Sequence, residues 1–296
     1  MRITLVLSLL VLPAAFALAD TAQVILQADA LHQNGSYVDA RKLVLDAAGA
    51  TSNAKEQAEL YWRASRETME VGDIADNAKK PQGEILGIFA EGEGYADKAI
   101  AADPQNDLGY YWKSSNIGRW GQTKGILNSL FKAGPMKDLL VKELSINPER
   151  TDPYYVLGQL YRELPGWPVS FGNIDAAVSL GRKAVELRMS QFQAGKEKEL
   201  VYNFYNELAK NLWKRNWSAA NRLTEQKNKV AKLAAAVTPL DKGSFFEAGV
   251  TLKDMSDRDE AKALAQWVVS DLQKVSSRTA PQNKDLQKAV DLLKGW

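Results

Sequence analysis

The stretch Ala28-Asp29-Ala30-Leu31-His32-Gln33-Asn34-Gly35-Ser36-Tyr37-Val38-Asp39-Ala40 decides how the rest of the chain is read. Ala28 and Leu31 stand on one helical face, Asn34-Gly35 supplies a break, and Tyr37 with Ala40 restarts the same spacing, continued by Val44 and Ala47. The alanines let two helices approach closely, the glycine permits a tight reversal, and the tyrosine wedges between them. Two short helices joined by a turn therefore form the basic unit. The same 3.6-residue period returns in Leu157, Leu160, Tyr161 and Leu164, in Val201, Phe204, Tyr205, Leu208 and Leu212, in Ala261, Leu264, Ala265, Val268 and Leu272, and in Leu286, Ala289, Val290 and Leu293. No segment sustains the two-residue alternation of a strand. Start signals agree with the stripes. Asn53 with Glu56 and Asp257 with Glu260 have capping-box spacing, and Asp152-Pro153 places a cap before a proline at the first helical position.

The units repeat. Tyr95-Ala96-Asp97-Lys98-Ala99-Ile100-Ala101-Ala102-Asp103-Pro104 ends one, where proline stops the second helix, and Leu144-Ser145-Ile146-Asn147-Pro148 ends the next. Leu157-Gly158 with Tyr161 opens another, which Gly172-Asn173-Ile174-Asp175-Ala176-Ala177 and Ala184 complete, and Asn216-Trp217-Ser218-Ala219-Ala220 leading to Pro239 reads as a weaker fifth. The spacing exceeds the roughly 34 residues of a tetratricopeptide (TPR) repeat and approaches that of HEAT pairs, but the glycine-x-tyrosine and terminal Asn/Asp-Pro features favour TPR-like units. A lone helix pair cannot bury its apolar stripe, so each must stack on the next. The expected fold is all-α: a right-handed α-solenoid of TPR-like hairpins over residues 20–256, closed by C-terminal capping helices over 257–296. Two insertions interrupt it, Asp73 to Gly83 and Pro165-Gly166-Trp167-Pro168-Val169-Ser170-Phe171.

Composition narrows the chemistry. With 45% hydrophobic and 25% charged residues, the 296-residue chain has a globular make-up rather than a disordered one. Thirty-eight basic against 36 acidic residues give a net charge of +2, with no overall footprint for nucleic acid. The absence of cysteine excludes disulfides, thiolate zinc sites, cysteine nucleophiles and a lipobox, and the single histidine, His32, removes almost every histidine metal cluster. Residues 1–19 read as a cleavable signal peptide: Met1-Arg2, an apolar run from Ile3 to Leu12, and Ala17-Leu18-Ala19 before Asp20. The expectation is an exported protein of a bacterial periplasm, with no membrane span once the leader is removed.

The run Tyr154-Tyr155-Val156-Leu157-Gly158-Gln159-Leu160-Tyr161-Arg162-Glu163-Leu164-Pro165, followed by Gly172-Asn173-Ile174-Asp175-Ala176-Ala177, resembles the T-component proteins of TRAP transporters. The same region is similar to the regulator-of-microtubule-dynamics proteins, and upstream Ala99 to Pro104 with Gly109-Tyr110-Tyr111-Trp112 fits both patterns. The resemblance covers about Tyr95 to Leu187. It implies a helical protein that associates with a protein partner, for the first family a transporter or solute-binding component, and that holds a small apolar or amphipathic ligand in a central channel.

Catalytic signatures are not assembled. His32 stands beside Asn34-Gly35 with no nucleophile elbow, and reads as a solvated or partly packed histidine. Gly118 to Gly125 lacks the order of a phosphate-binding loop, and Gly83, Gly87, Gly92 and Gly94 fall in a helical run where they allow close packing. Glu67, Glu70, Glu143 and Glu163 read first as exposed charge; a facing pair of them is the one route to a cell-wall or glycan hydrolase on an all-helical frame. That is the alternative to a non-catalytic scaffold, which needs no cofactor and no metal. The candidate contacts are aromatic. Tyr110, Tyr111 and Trp112 span about 200° of a helix and cannot all face one neighbour. Filling of the core accounts for part of this set; the groove is the expected place for Tyr111, Trp112, Trp120, Tyr155 and Trp167, with Arg119 and Arg162 available to grip a carboxylate.

Overall fold

The computed structural model describes residues 21–296, and every regular element among them is helical. In order these are α1 (Thr21–Gln33), α2 (Tyr37–Ala50), α3 (Ala54–Asn77), α4 (Gln82–Ala102), α5 (Asp107–Lys124), α6 (Leu130–Ile146), α7 (Asp152–Glu163), α8 (Ile174–Gln193), α9 (Asn203–Arg215), α10 (Ala219–Ala235), α11 (Pro239–Ser244), α12 (Asp257–Gln273) and α13 (Ala280–Gly295). Short 3-10 turns at Leu127–Ser129 and Phe246–Gly249 precede α6 and follow α11. None of these helices is long and apolar enough to cross a membrane. The leader expected at residues 1–19 lies outside the described residues.

From α1 to α9 each helix packs on the next, and α1 with α3, α3 with α5, and α7 with α9 also touch. The odd-numbered helices thus form one layer of a solenoid and α2, α4, α6 and α8 the other. Among the described residues the buried apolar side chains fall into separate clusters rather than one core. Val24, Ala28, Val44, Leu60 and Ala64 form one apolar cluster across α1–α3; Ile117, Leu140, Leu144, Leu157, Leu180 and Phe204 form another from α5 to α9. Each helix pair hides its stripe against its neighbour. The repeat is also visible in single bonds. Tyr110 donates its hydroxyl to the Pro104 carbonyl at 3.2 Å, and Tyr154 does the same to Pro148 at 3.1 Å. Close approach between layers depends on small residues. A Cβ on Gly92 would lie 2.2 Å from Oδ1 of Asn116, whose amide donates to Oγ of Ser65 at 3.0 Å while that hydroxyl donates to the Gly92 carbonyl at 2.8 Å.

Local boundaries differ from the sequence reading where side chains have other work. Asn53 does cap α3, accepting from the Lys55 and Glu56 amides. At α12 the cap is Ser256 with Asp259, one residue early, because the Asp257 carboxylate is held by Arg215 and the Trp217 amide. Thr151 rather than Asp152 precedes α7. The expected insertion from Asp73 to Gly83 is mostly helix, leaving a turn at Ala78–Pro81, whereas the 165–171 segment is non-helical throughout.

The largest difference concerns the fifth pair. α12, not α10, packs along α9, and α13 packs on both α12 and α9. The Asp257 amide donates to the Trp217 carbonyl at 2.9 Å, so the chain leaves after α9 and returns to almost the same point. Between those ends, α10 lies against the second 3-10 turn, and α11 lies on α8 and α6.

Candidate binding groove

Charged side chains gather along the odd-numbered helices. The charge of Lys284 in α13 acts on the Asp73 carboxyl in α3, so these two helices lie within electrostatic reach of one another. On α3, burial raises both Asp73 and Glu70, and each adds to the difficulty of ionising its surroundings. Arg119 of α5 answers Asp73, with Nε donating at 2.6 Å, and also donates to Gln122. Deeper on the same wall, Glu67 is fully buried between Nδ1 of His32 at 2.9 Å and Arg66 at 2.7 Å. His32 is partly packed, its ring edge-on to Tyr37.

A second set gathers where α7, α9 and α13 meet. Tyr155 stacks on Phe204 with centroids 4.5 Å apart, and its hydroxyl accepts from Nδ2 of Asn203 at 2.5 Å. Lys288 of α13 donates to Oδ1 of Asn203 at 2.8 Å and to Glu207. Arg162 is 4% exposed and meets Glu207 at 2.6 Å, Glu163 at 2.8 Å and Oδ1 of Asn211 at 2.7 Å. Burial alone would raise the Glu207 carboxyl, but Arg162, Lys288 and Lys210 outweigh it and hold it at about 2. The Tyr155 hydroxyl is pushed well up by burial. Lys210, half-buried among these cations, is lowered.

Between these sets, Tyr111 and Trp112 sit edge to face, 4.9 Å apart. Burial, with the Asp152 and Glu143 carboxyls nearby, raises the Tyr111 hydroxyl well above the ordinary range. Trp112 Nε1 and both Glu143 oxygens are buried without a hydrogen-bond partner. Burial with no partner keeps the Glu143 carboxyl protonated far above its usual range, with Asp152 and Asp107 adding to the effect.

Of the seven expected contact residues, Tyr155 and Arg162 share one network, and Tyr111 with Trp112 adjoins it through α5. Arg119 belongs to the α3 set. Trp120 turns toward the α5–α6 corner, where Phe131 meets it edge-on at 6.1 Å and Lys132 lies 4.4 Å over its ring. Trp167 is 89% exposed at a loop whose other aromatic, Phe171, packs on Tyr161 at 5.4 Å. Both guanidinium groups expected to grip a ligand carboxylate already hold carboxylates of this chain. Two of the four glutamates read as exposed, Glu67 and Glu143, are fully buried. Sequence reading missed Asn203, Glu207 and Lys288; the only local hint was a helix stripe at Phe204 and Leu208 with polar residues set between its apolar ones. Among the described residues no three histidine, aspartate or glutamate side chains converge as a metal-ligand set.

The described helices form an all-α solenoid whose α7, α9 and α13 share one polar and aromatic network. Residues 24–167, from α1 to the loop after α7, match the family described as regulator of microtubule dynamics protein 1-3. The chain is 24% identical over 142 residues to regulator of microtubule dynamics protein 1 of Mus musculus, covering 48% of this chain and 44% of that protein. It is 23% identical over 145 residues to the Bos taurus protein of the same name, covering 49% and 43%. The similarity supports that resemblance, over less than half the length of each relative. It also corrects the placement in a bacterial periplasm: both relatives come from mammals, whose cells have no such compartment.

Proposed function

We propose that the chain is a non-catalytic scaffold of TPR-like hairpins whose concave wall takes a protein partner, or a small amphipathic ligand, with α12 and α13 (residues 257–296) capping the array. One observation carries the reading: Tyr155, Arg162, Asn203, Glu207 and Lys288 converge from three helices into one shared network whose bonded partners lie up to 85 residues apart. Lys210 and Lys284 stand beside it. Such a wall offers rigid aromatic surface and positive charge and suits an acidic segment carrying apolar side chains. Tyr111, Trp112 and Arg119 extend the same surface toward α3, while Trp120 at the α5–α6 corner and the exposed Trp167 would contact a partner away from it. The matched relatives are named for microtubule dynamics, so polymerised tubulin is the first partner to try. A transport component, supported by the Leu164-Pro165 and Gly172 motif alone, is the second.

Cosedimentation of the purified chain with microtubules, and native mass spectrometry for a carried small molecule, test the proposal. Tyr155→Ala and Lys284→Glu are expected to lower both partner recovery and ligand content. Unchanged recovery and content in both variants would return the wall to a purely structural role.

A further inference from the structure

The two edges of the solenoid differ. Because α2 to α8 alternate in direction, the turns after α3, α5 and α7 fall along one edge and those after α2, α4 and α6 along the other. Two contacts tie the first edge together. The Gln82 amide at the start of α4 donates to the Thr123 carbonyl near the end of α5, at 2.8 Å, and Lys137 of α6 lies 4.6 Å over the Phe171 ring in the loop after α7. That edge carries the exposed apolar side chains Leu127 (77%), Phe131 (68%) and Val169 (68%), with Ile126 and Trp167 beside them. The turns of the opposite edge carry Asp103, Glu149 and Arg150, and none of the exposed large apolar side chains lies in them. Side chains this large standing together in water mark a contact surface.

Charge names what covers it. Between Asp107 and Asp138 the chain has Lys113, Arg119, Lys124, Lys132 and Lys137 and no carboxylate, and from Leu164 to Asn173 it has no charged residue. Lys113, Arg119 and Lys132 meet Asp97, Asp73 and Glu93 of other helices. Lys124, exposed next to the Ile126–Leu127 turn, and Lys137, over Phe171, stand at the apolar tips themselves. Tryptophan, leucine and phenylalanine that project from turns and a helix start, backed by lysines, suit the boundary of an anionic bilayer: the apolar groups enter below the headgroups and the ammonium groups stay among the phosphates. A second copy would set these lysines against their own kind. We propose that the edge formed by residues 124–131 and 167–169 is a peripheral contact for an anionic lipid bilayer, entered by Leu127, Phe131 and Trp167 and held by Lys124 and Lys137. This contact lies away from the network of α7, α9 and α13, so it stands or falls independently of a protein partner there.

The test is sedimentation of the full chain with vesicles of phosphatidylcholine alone and of phosphatidylcholine mixed with phosphatidylserine. Binding is expected to favour the mixed vesicles strongly and to weaken as salt is raised. The double substitution Leu127→Asp and Phe131→Ser is expected to lower it about tenfold or more, and Lys124→Glu severalfold. These are exposed sites, and unchanged circular dichroism would confirm the fold. Brominated lipid is expected to quench the tryptophan fluorescence of the unmodified chain, and Trp167→Phe to remove most of that quenching. No binding to the mixed vesicles, equal binding to both kinds, full binding by the double variant, or undiminished quenching in Trp167→Phe would each overturn the proposal. So would dimerisation in lipid-free solution that Leu127→Asp abolishes, because a second copy would then be the occupant.

Discussion

Two buried carboxylates, Glu143 in α6 and Glu247 in the turn after α11, lie in the same protein under opposite rules. Glu247 is held by Arg215 and Arg182; burial would raise it, and the two guanidinium groups outweigh burial and bring it to about 2. Around it Asp175, Asp257 and Glu260 meet Arg182, Arg215, Arg222 and Lys229, tying α8, α9, α10 and α12 together. Glu143 has no hydrogen-bond partner and is kept protonated. Burial does not decide what a charge contributes; the completeness of its partner set does. The apolar α5–α7 region tolerates one neutral acid, whereas the excursion between α9 and α12 is fastened by paired ions.

The largest expected effect breaks the ionic side. Arg215→Met leaves Glu247 and Asp257 short of their shared partner and should destabilise the chain by about 3–5 kcal/mol in urea unfolding. A loss near zero would mean that the clasp is decorative. Acid should act on the same place. The Glu247 carboxyl falls from its ordinary 4.5 to about 2 on folding, so its contribution is present above pH 4.5 and is lost as pH drops through about 2. That amounts to about 3 kcal/mol, and hydrogen exchange should show α10 opening before α3.

Glu143 gives the opposite sign. Its folded value is raised, so stability is greatest below the unfolded value of about 4.5 and declines as pH rises above it. Glu143→Met should therefore stabilise the protein by about 1–2 kcal/mol at pH 8, with the gain shrinking toward pH 4.5. A destabilised variant at pH 8 would show that the acid has an unseen partner. The smallest effect belongs to exposed pairs: Lys80→Ala removes a half-exposed 2.7 Å contact with Glu84 and should cost under about 0.5 kcal/mol in the same assay.

Sequence carried the stacked hairpins because their signals are local. Gly35 takes a positive φ of 77° at the first turn, Pro104 and Pro148 follow the ends of α4 and α6, and apolar stripes mark the buried faces. What it hid depends on distance and on charge. Lys288 meets Glu207 across 81 residues of sequence, and α12 finds α9 across the whole excursion, which no short-range spacing encodes. Periodicity treats every glutamate as a solvent-facing residue, so Glu67 and Glu143 read alike with Glu163, although only Glu163 is exposed. Of the candidate contacts, Tyr155 and Arg162 share a network with Asn203, Glu207 and Lys288, which no spacing in the sequence pointed to.

The arrangement rests on α9 and α12 forming the last pair, with residues 218–256 attached to it from outside. Because the Trp217 carbonyl and the Asp257 amide are already 2.9 Å apart, a short glycine-serine linker can replace that segment without stretching the chain. Hydrogen exchange of the shortened protein should show α9 and α12 still protected relative to each other, at lower overall stability because α11 no longer covers α8 and Arg182 and Arg215 lose Glu247. Loss of protection in both helices, with the segment removed, would contradict the pairing.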